Sequence, residues 1–159
     1  MRRRAVVSLL GSCLLAACAH QGDRAAAPAG MSWALQHAEG EGAKLTYGAP
    51  RSDHVFLMMT CAPQSGQVLL SLSNGSAEGP AALELASGDA RSRVSGEAVP
   101  SGLGAGSLVE ASASVEDAAL ARFARTGEIA VGERGRLASL PASAAERAEI
   151  DGFFATCRA

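Results

Sequence analysis

The sequence predicts a mainly β domain: a small antiparallel β-sandwich or barrel with a short helix near 115–125 and an amphipathic C-terminal helix near 144–157. Three observations predict it. About eight or nine short apolar or alternating segments recur, with turn residues roughly every 8–12 positions, the spacing of sandwiches and barrels. The hydrophobic period switches to a helical one only late in the chain. Of 159 residues, 48% are apolar and 19% charged, enough for one packed core and hardly for two domains.

The elements follow in order. Trp33 and Leu35 stand at period two within Ser32–His37, a first strand. Ala43–Tyr47 is a second, with Lys44 and Thr46 alternating against Leu45 and Tyr47. Gly48-Ala49-Pro50-Arg51-Ser52-Asp53 is a turn by composition. Val55–Met59 (VFLMM) is continuously apolar, which predicts a strand buried on both faces that delivers Cys61 at its end. After a turn at Pro63–Gly66, Val68, Leu70 and Leu72 alternate with polar neighbours, Leu69 being the misfit. Asn74-Gly75 is a hairpin signal. Leu83 and Leu85 flank Glu84 in a short strand, and the mostly polar Arg91–Val99 reads as an edge strand. Ser101–Ser107 is a glycine-rich loop, and Val109, Ala111, Ala113 and Val115 then share one strand face.

Ser114-x-x-Asp117 resembles a capping box, which opens a helix through Leu120 and Phe123 to about Arg125, ended by Gly127. Glu128–Val131 and Arg136–Leu140 form a hairpin around Gly132–Gly135, and Pro141 breaks the strand. Ser143-x-x-Glu146 is a second capping box. Behind it, Ile150, Phe153, Phe154 and Cys157 stand at i, i+3, i+4 and i+7, so one helix face, Cys157 included, must lie on the core. No internal repeat is present.

The N-terminus is of another kind. Met1-Arg2-Arg3-Arg4 is cationic, and Ala5–Ala17 is an apolar run of 13 residues. A membrane-spanning helix needs about 20 apolar residues, so this run has the proportions of a signal-peptide core. It ends in Leu15-Ala16-Ala17-Cys18, which resembles the lipobox of bacterial lipoproteins. That resemblance implies cleavage before Cys18, a diacylglyceryl thioether on its sulfur, and an acylated (palmitate-type) N-terminus. Several acyl chains anchor stably where one anchors marginally. Ala19, in place of aspartate, implies the outer membrane with the body facing the periplasm. The alternative is an ordinary secretory signal with Cys18 incidental. The expected organisation is a signal peptide at 1–17, a lipidated flexible tether at 18–30, and a single β-rich domain at 31–159. Loss of three arginines leaves 11 cationic against 16 acidic residues, a mildly acidic protein without the basic stripe that nucleic acid requires.

On that reading Cys13 leaves with the leader and Cys18 carries lipid, so Cys61 and Cys157 remain in an oxidising compartment. A disulfide between them is expected, fastening the terminal helix to the strand that ends at Cys61. Two buried thiols or a redox pair are the alternatives, although neither cysteine lies in a C-x-x-C motif.

Constellations that carry chemistry are weak. His20, His37 and His54 lack metal-ligand spacing, so neither metal nor cofactor is expected. Ser52-Asp53-His54 has the residue types of a hydrolase triad, but adjacent extended residues point to opposite sides and cannot converge. Gly102–Ser107 lacks the lysine and helix of a phosphate loop, and Glu39 with Glu41 reads as solvated charge. Tyr47-Gly48-x-Pro50-x-Ser52-Asp53, Thr60-Cys61-x-Pro63-x-Ser65-Gly66, Trp33 and Phe153-Phe154-x-x-Cys157 together resemble small envelope proteins of Gram-negative bacteria, alphaproteobacteria by the Ala/Gly/Arg bias. That resemblance implies no catalytic set. The expectation is therefore a non-enzymatic, membrane-anchored binding or structural module of the envelope, taking a protein, a glycan or a small ligand. A periplasmic inhibitor of proteases or lysozymes is the alternative, and a hydrolase a more distant one.

Overall fold

A computed structural model of the protein describes residues 24–26, 28–38, 42–73, 78–101 and 106–158. The leader, Cys18 with Ala19 and His20, Glu39 and Glu41, Asn74-Gly75 and 102–105 of the glycine-rich loop lie outside the described residues. Ten strands and two helices follow one another: β1 (Arg24–Ala25), β2 (Ser32–Ala38), β3 (Gly42–Gly48), β4 (Val55–Cys61), β5 (Gln67–Ser73), β6 (Gly79–Ser87), β7 (Ala90–Pro100), β8 (Ser107–Ser114), α1 (Ala118–Thr126), β9 (Glu128–Glu133), β10 (Arg136–Pro141) and α2 (Arg147–Cys157). All strands join one sheet in the order β1-β10-β9-β6-β7-β8-β5-β4-β3-β2. Nine of them are antiparallel, and the two-residue β1 adds parallel to β10. Two residues of the segment read as a tether thus lie in the sheet.

The sheet is curled into a half-barrel. One ring contact requires the curl. Trp33 on β2 lies 5.1 Å from Phe123 of α1, and α1 packs on β6, β7 and β9. From β2 to β7 a flat sheet would span about 24 Å at the usual strand spacing. The concave face gathers Leu45, Leu57, Met59, Leu70, Leu83 and Leu85, all essentially excluded from water, under the two helices. Five of the six aromatic residues fall in one cluster there: Trp33, Tyr47, Phe123, Phe154 and Phe153 form a chain of rings with successive centroids 5.1–5.9 Å apart around Trp33 and Phe123. Little aromatic matter is left for a surface.

Both helices begin and end for local reasons. Asp117 is the N-cap of α1: its carboxylate accepts the amides of Ala119 and Leu120 at 3.0 and 3.3 Å. The capping residue is therefore Asp117, not Ser114, whose hydroxyl instead accepts the Glu116 amide. Gly127 stops α1 in the left-handed conformation at φ 71°. Before α2 the box is complete. The Ser143 amide donates to Glu146 Oε2 at 2.6 Å, and the Glu146 amide donates to the Ser143 hydroxyl at 3.4 Å. Ile150, Phe153, Phe154 and Cys157 are buried. Cys61 and Cys157 form the disulfide, with Cα atoms 5.7 Å apart and the two residues 96 positions apart in sequence. The turn after β4 joins this clamp: the amides of Gln64 and Gly66 donate to the carbonyls of Thr156 and Cys157, each at 2.9 Å, satisfying acceptors that the helix end leaves open.

Two strand expectations change as well. Val55–Met59 is not buried on both faces: Leu57 and Met59 point into the core, whereas Val55 and Met58 are half-buried on the convex side, which no described element covers. The edge assigned to Arg91–Val99 is also wrong, because β7 sits between β6 and β8. Its polarity has another cause. Its outward residues meet solvent, its inward positions are small, and at Gly96 a Cβ would fall on the Glu110 carbonyl of β8. The strand at that end of the sheet is β2.

Candidate binding groove on the convex face

Among the described residues, a concavity of about 730 Å³ lies outside the half-barrel, over β2, β3 and β4. Strand alternation builds its floor. Residues that face away from the core in register, Gln36 beside Lys44 beside Thr60 and Ala34 beside Thr46 beside Met58, run in rows across three strands. Thr46 Oγ1 donates to the Ala34 carbonyl at 3.4 Å. The wall is the turn 49–53, which rises where the β3–β4 register shifts at Tyr47 and Gly48.

That turn is held by its own backbone. The Ala49 amide donates to the His54 carbonyl at 2.9 Å, and the Val55 amide to the Asp53 carbonyl at 3.0 Å. Ser52 Oγ donates to the Ala49 carbonyl at 3.3 Å and accepts the His54 amide at 3.1 Å. Ser52 is thus engaged with the turn backbone, and among the described residues no hydrogen bond joins the side chains of Ser52, Asp53 and His54. Arg51 stands at the tip with φ 58°, a conformation that non-glycine residues adopt sparingly.

The charges are distributed along the groove. Lys44, the chain's sole lysine, rises from the floor, and Arg51 lies at the wall four strand positions and a turn away. Along a strand four residues span about 13 Å. Neither cation makes an ion pair among the described residues, and Asp53 is the groove's carboxylate. The rest of the lining is uncharged and mostly apolar, with Ala34, Pro50, Val55 and Met58 beside Ser32, Gln36 and Thr46. No aromatic side chain lines it, so it offers charge, hydrogen-bonding groups and aliphatic surface but no ring to stack on.

A second arrangement lies on the neighbouring edge. The Trp33 amide donates to Glu146 Oε1 at 2.8 Å and the Leu35 amide to Glu149 Oε2 at 3.3 Å. Burial alone would push the Glu146 carboxyl up, but its bonds with Ser143 and with the Trp33 amide hold it below the ordinary carboxylate value. Burial first, and the Glu146 charge second, push the Tyr47 phenol up.

Sequence reasoning placed Cys61 and Cys157 and the structure joins them; His37 and His54 are both exposed and lie on different elements. Among the described residues no three His, Cys, Asp or Glu side chains are grouped to hold a metal ion, and no helix is long and apolar enough to cross a membrane. The groove itself was missed. Its signal was present in Lys44 and Thr46 alternating outward, but a fully buried β4 would have covered it. Glu149 carries a local signal too, since it stands three residues beyond Glu146, on the same helix side. Compared with known protein families, with curated proteins and with solved structures, the chain matches none.

Proposed function

We propose that this protein is a non-enzymatic binding module of the bacterial cell envelope, lipid-anchored through Cys18 to the outer membrane and facing the periplasm, and that the β2–β4 groove is its binding surface. One observation carries the reading: a concavity of about 730 Å³, floored by three paired strands, presents Lys44 and Arg51 without ion-pair partners among the described residues. Unpaired cations on a fixed scaffold select anionic or polar partners at little ordering cost. The disulfide between Cys61 and Cys157 supports an oxidising compartment, since such bonds persist outside the cytosol. The lipobox-like Leu15-Ala16-Ala17-Cys18 supports the anchor.

Two experiments test it. Cross-linked capture from native envelopes compares the wild type with a Lys44→Glu/Arg51→Glu variant. A species retained by the wild type and lost by the variant supports the groove; equal capture removes it. Fractionation of a Cys18→Ala variant tests the anchor, and continued partition with membranes would show that lipid at Cys18 is not what holds the protein there.

A further inference from the structure

Strand β2 ends the sheet, so among the described residues one side of its backbone has no partner strand. Its pairing with β3 fixes which groups point outward. Ala34 and Gln36 face Thr46 and Lys44, while Trp33 and Leu35 turn their amides away from β3. By the same alternation the His37 amide also points out. An edge of this kind is a template for another strand, and proteins blunt it with lysine, proline, inward charge or a bulge. Ser32–His37 contains no proline and no Asp, Glu, Lys or Arg. Its guards come instead from α2 and its N-cap, more than a hundred residues away: Glu146 takes the Trp33 amide and Glu149 the Leu35 amide. The helix is seated where it can do so. A Cβ on Gly152 would approach Leu35 Cδ2 to 3.0 Å, the disulfide holds the far end, and the capping box fixes Glu146.

We propose that Glu146 and Glu149 form a latch that keeps the β2 edge closed against a second copy of this chain. The second copy is the occupant that the strand itself specifies. Antiparallel pairing of β2 with its twin about Leu35 sets Trp33 opposite His37 and Leu35 opposite Leu35, and each such pair exchanges two backbone hydrogen bonds. All outward amides are satisfied at once, and no like charges on the strand oppose the pairing. The Glu146 and Glu149 carboxylates take the Trp33 and Leu35 amides that the incoming carbonyls need.

The test is sedimentation velocity on the full chain in one detergent-containing buffer. A Glu146→Ala/Glu149→Ala variant, with its disulfide intact and its β-sheet spectrum retained, is expected to show a concentration-dependent doubling of mass that the wild type lacks. Adding His37→Pro, which removes an outward amide without touching the β3 ladder, is expected to return it to the wild-type mass. A double variant that stays at the wild-type mass overturns the proposal. So does association that survives His37→Pro, or association with added foreign strands but not with itself. Should the double variant fail to fold, hydrogen exchange on the wild type decides: slow Trp33 and Leu35 amides beside a fast His37 amide are expected, and three equally fast amides overturn the latch.

Discussion

The ring of Trp33, on the last strand of the sheet, lies 5.1 Å from that of Phe123, on a helix seated over the middle strands. The contact is the seam along which the curled sheet closes on its own contents. It makes the core one unit, since Phe123 also meets Phe154 edge-on at 5.9 Å, and Phe154 belongs to the disulfide-bonded helix.

Phe123 is fully buried, so Phe123→Ala is expected to cost about 3–5 kcal/mol. Urea denaturation followed by circular dichroism should show a lower midpoint with an unchanged slope. Phe56, half-buried and outside the ring cluster, should cost clearly less as Phe56→Ala. Equal losses would show that the seam is not where the stability lies.

Removing the disulfide, as Cys61→Ala/Cys157→Ala, is expected to cost about 4–5 kcal/mol by the loop-entropy relation for a cross-link of this span. Comparison of oxidised and reduced wild type in the same denaturant series checks it. Overlapping curves would mean that the turn amides of Gln64 and Gly66 hold α2 without the sulfurs.

Glu146 gives stability a definite pH dependence. Its folded value is depressed, because bonds with Ser143 and the Trp33 amide outweigh burial. Its contribution is therefore full above the unfolded carboxylate value, near about 4.3, and is lost as pH falls through the lower folded value. The stability gap between wild type and Glu146→Ala should be constant at neutral pH and close in acid. The same substitution should let Tyr47 ionise at lower pH, which an ultraviolet phenolate titration reads. A gap that widens in acid would reverse the assigned sign.

Asp117→Ala removes the acceptor of two helix amides and of the Ser92 hydroxyl at 2.6 Å. A loss of about 1 kcal/mol is expected, measured by thermal or urea unfolding. Ser114→Ala, which leaves the Asp117 carboxylate and its bonds in place, should be smaller; the reverse ranking would return the cap to Ser114.

Much of the fold is legible in period and punctuation. Alternation at Val68, Leu70 and Leu72 shows which side is buried, and the exposed Leu69 is the residue that broke the pattern. Ser143-x-x-Glu146 announces α2, and two remaining cysteines announce its clamp. A period of two tells which face a residue takes, never which strand lies beside it. The edge was for that reason assigned to the polar β7 and not to β2. Continuous apolarity in VFLMM likewise cannot separate a strand covered on both sides from one whose outer face floors a groove. The tie from Glu146 to Trp33 crosses 113 residues, and no local pattern encodes it.

The short parallel strand β1 has a mechanical consequence. Only two residue pairs, Arg24 with Leu137 and Ala25 with Ala138, fasten it to the rim formed by β10. Tension arriving from the residues ahead of Arg24 would strip this small seal first, paying out slack before any load reached the seven-pair seam of β2 with β3. The described body thus carries a weak link at Arg24–Ala25 and a covalent rivet at its far end, so that a pull on Arg24 would lengthen the strap without opening the vessel.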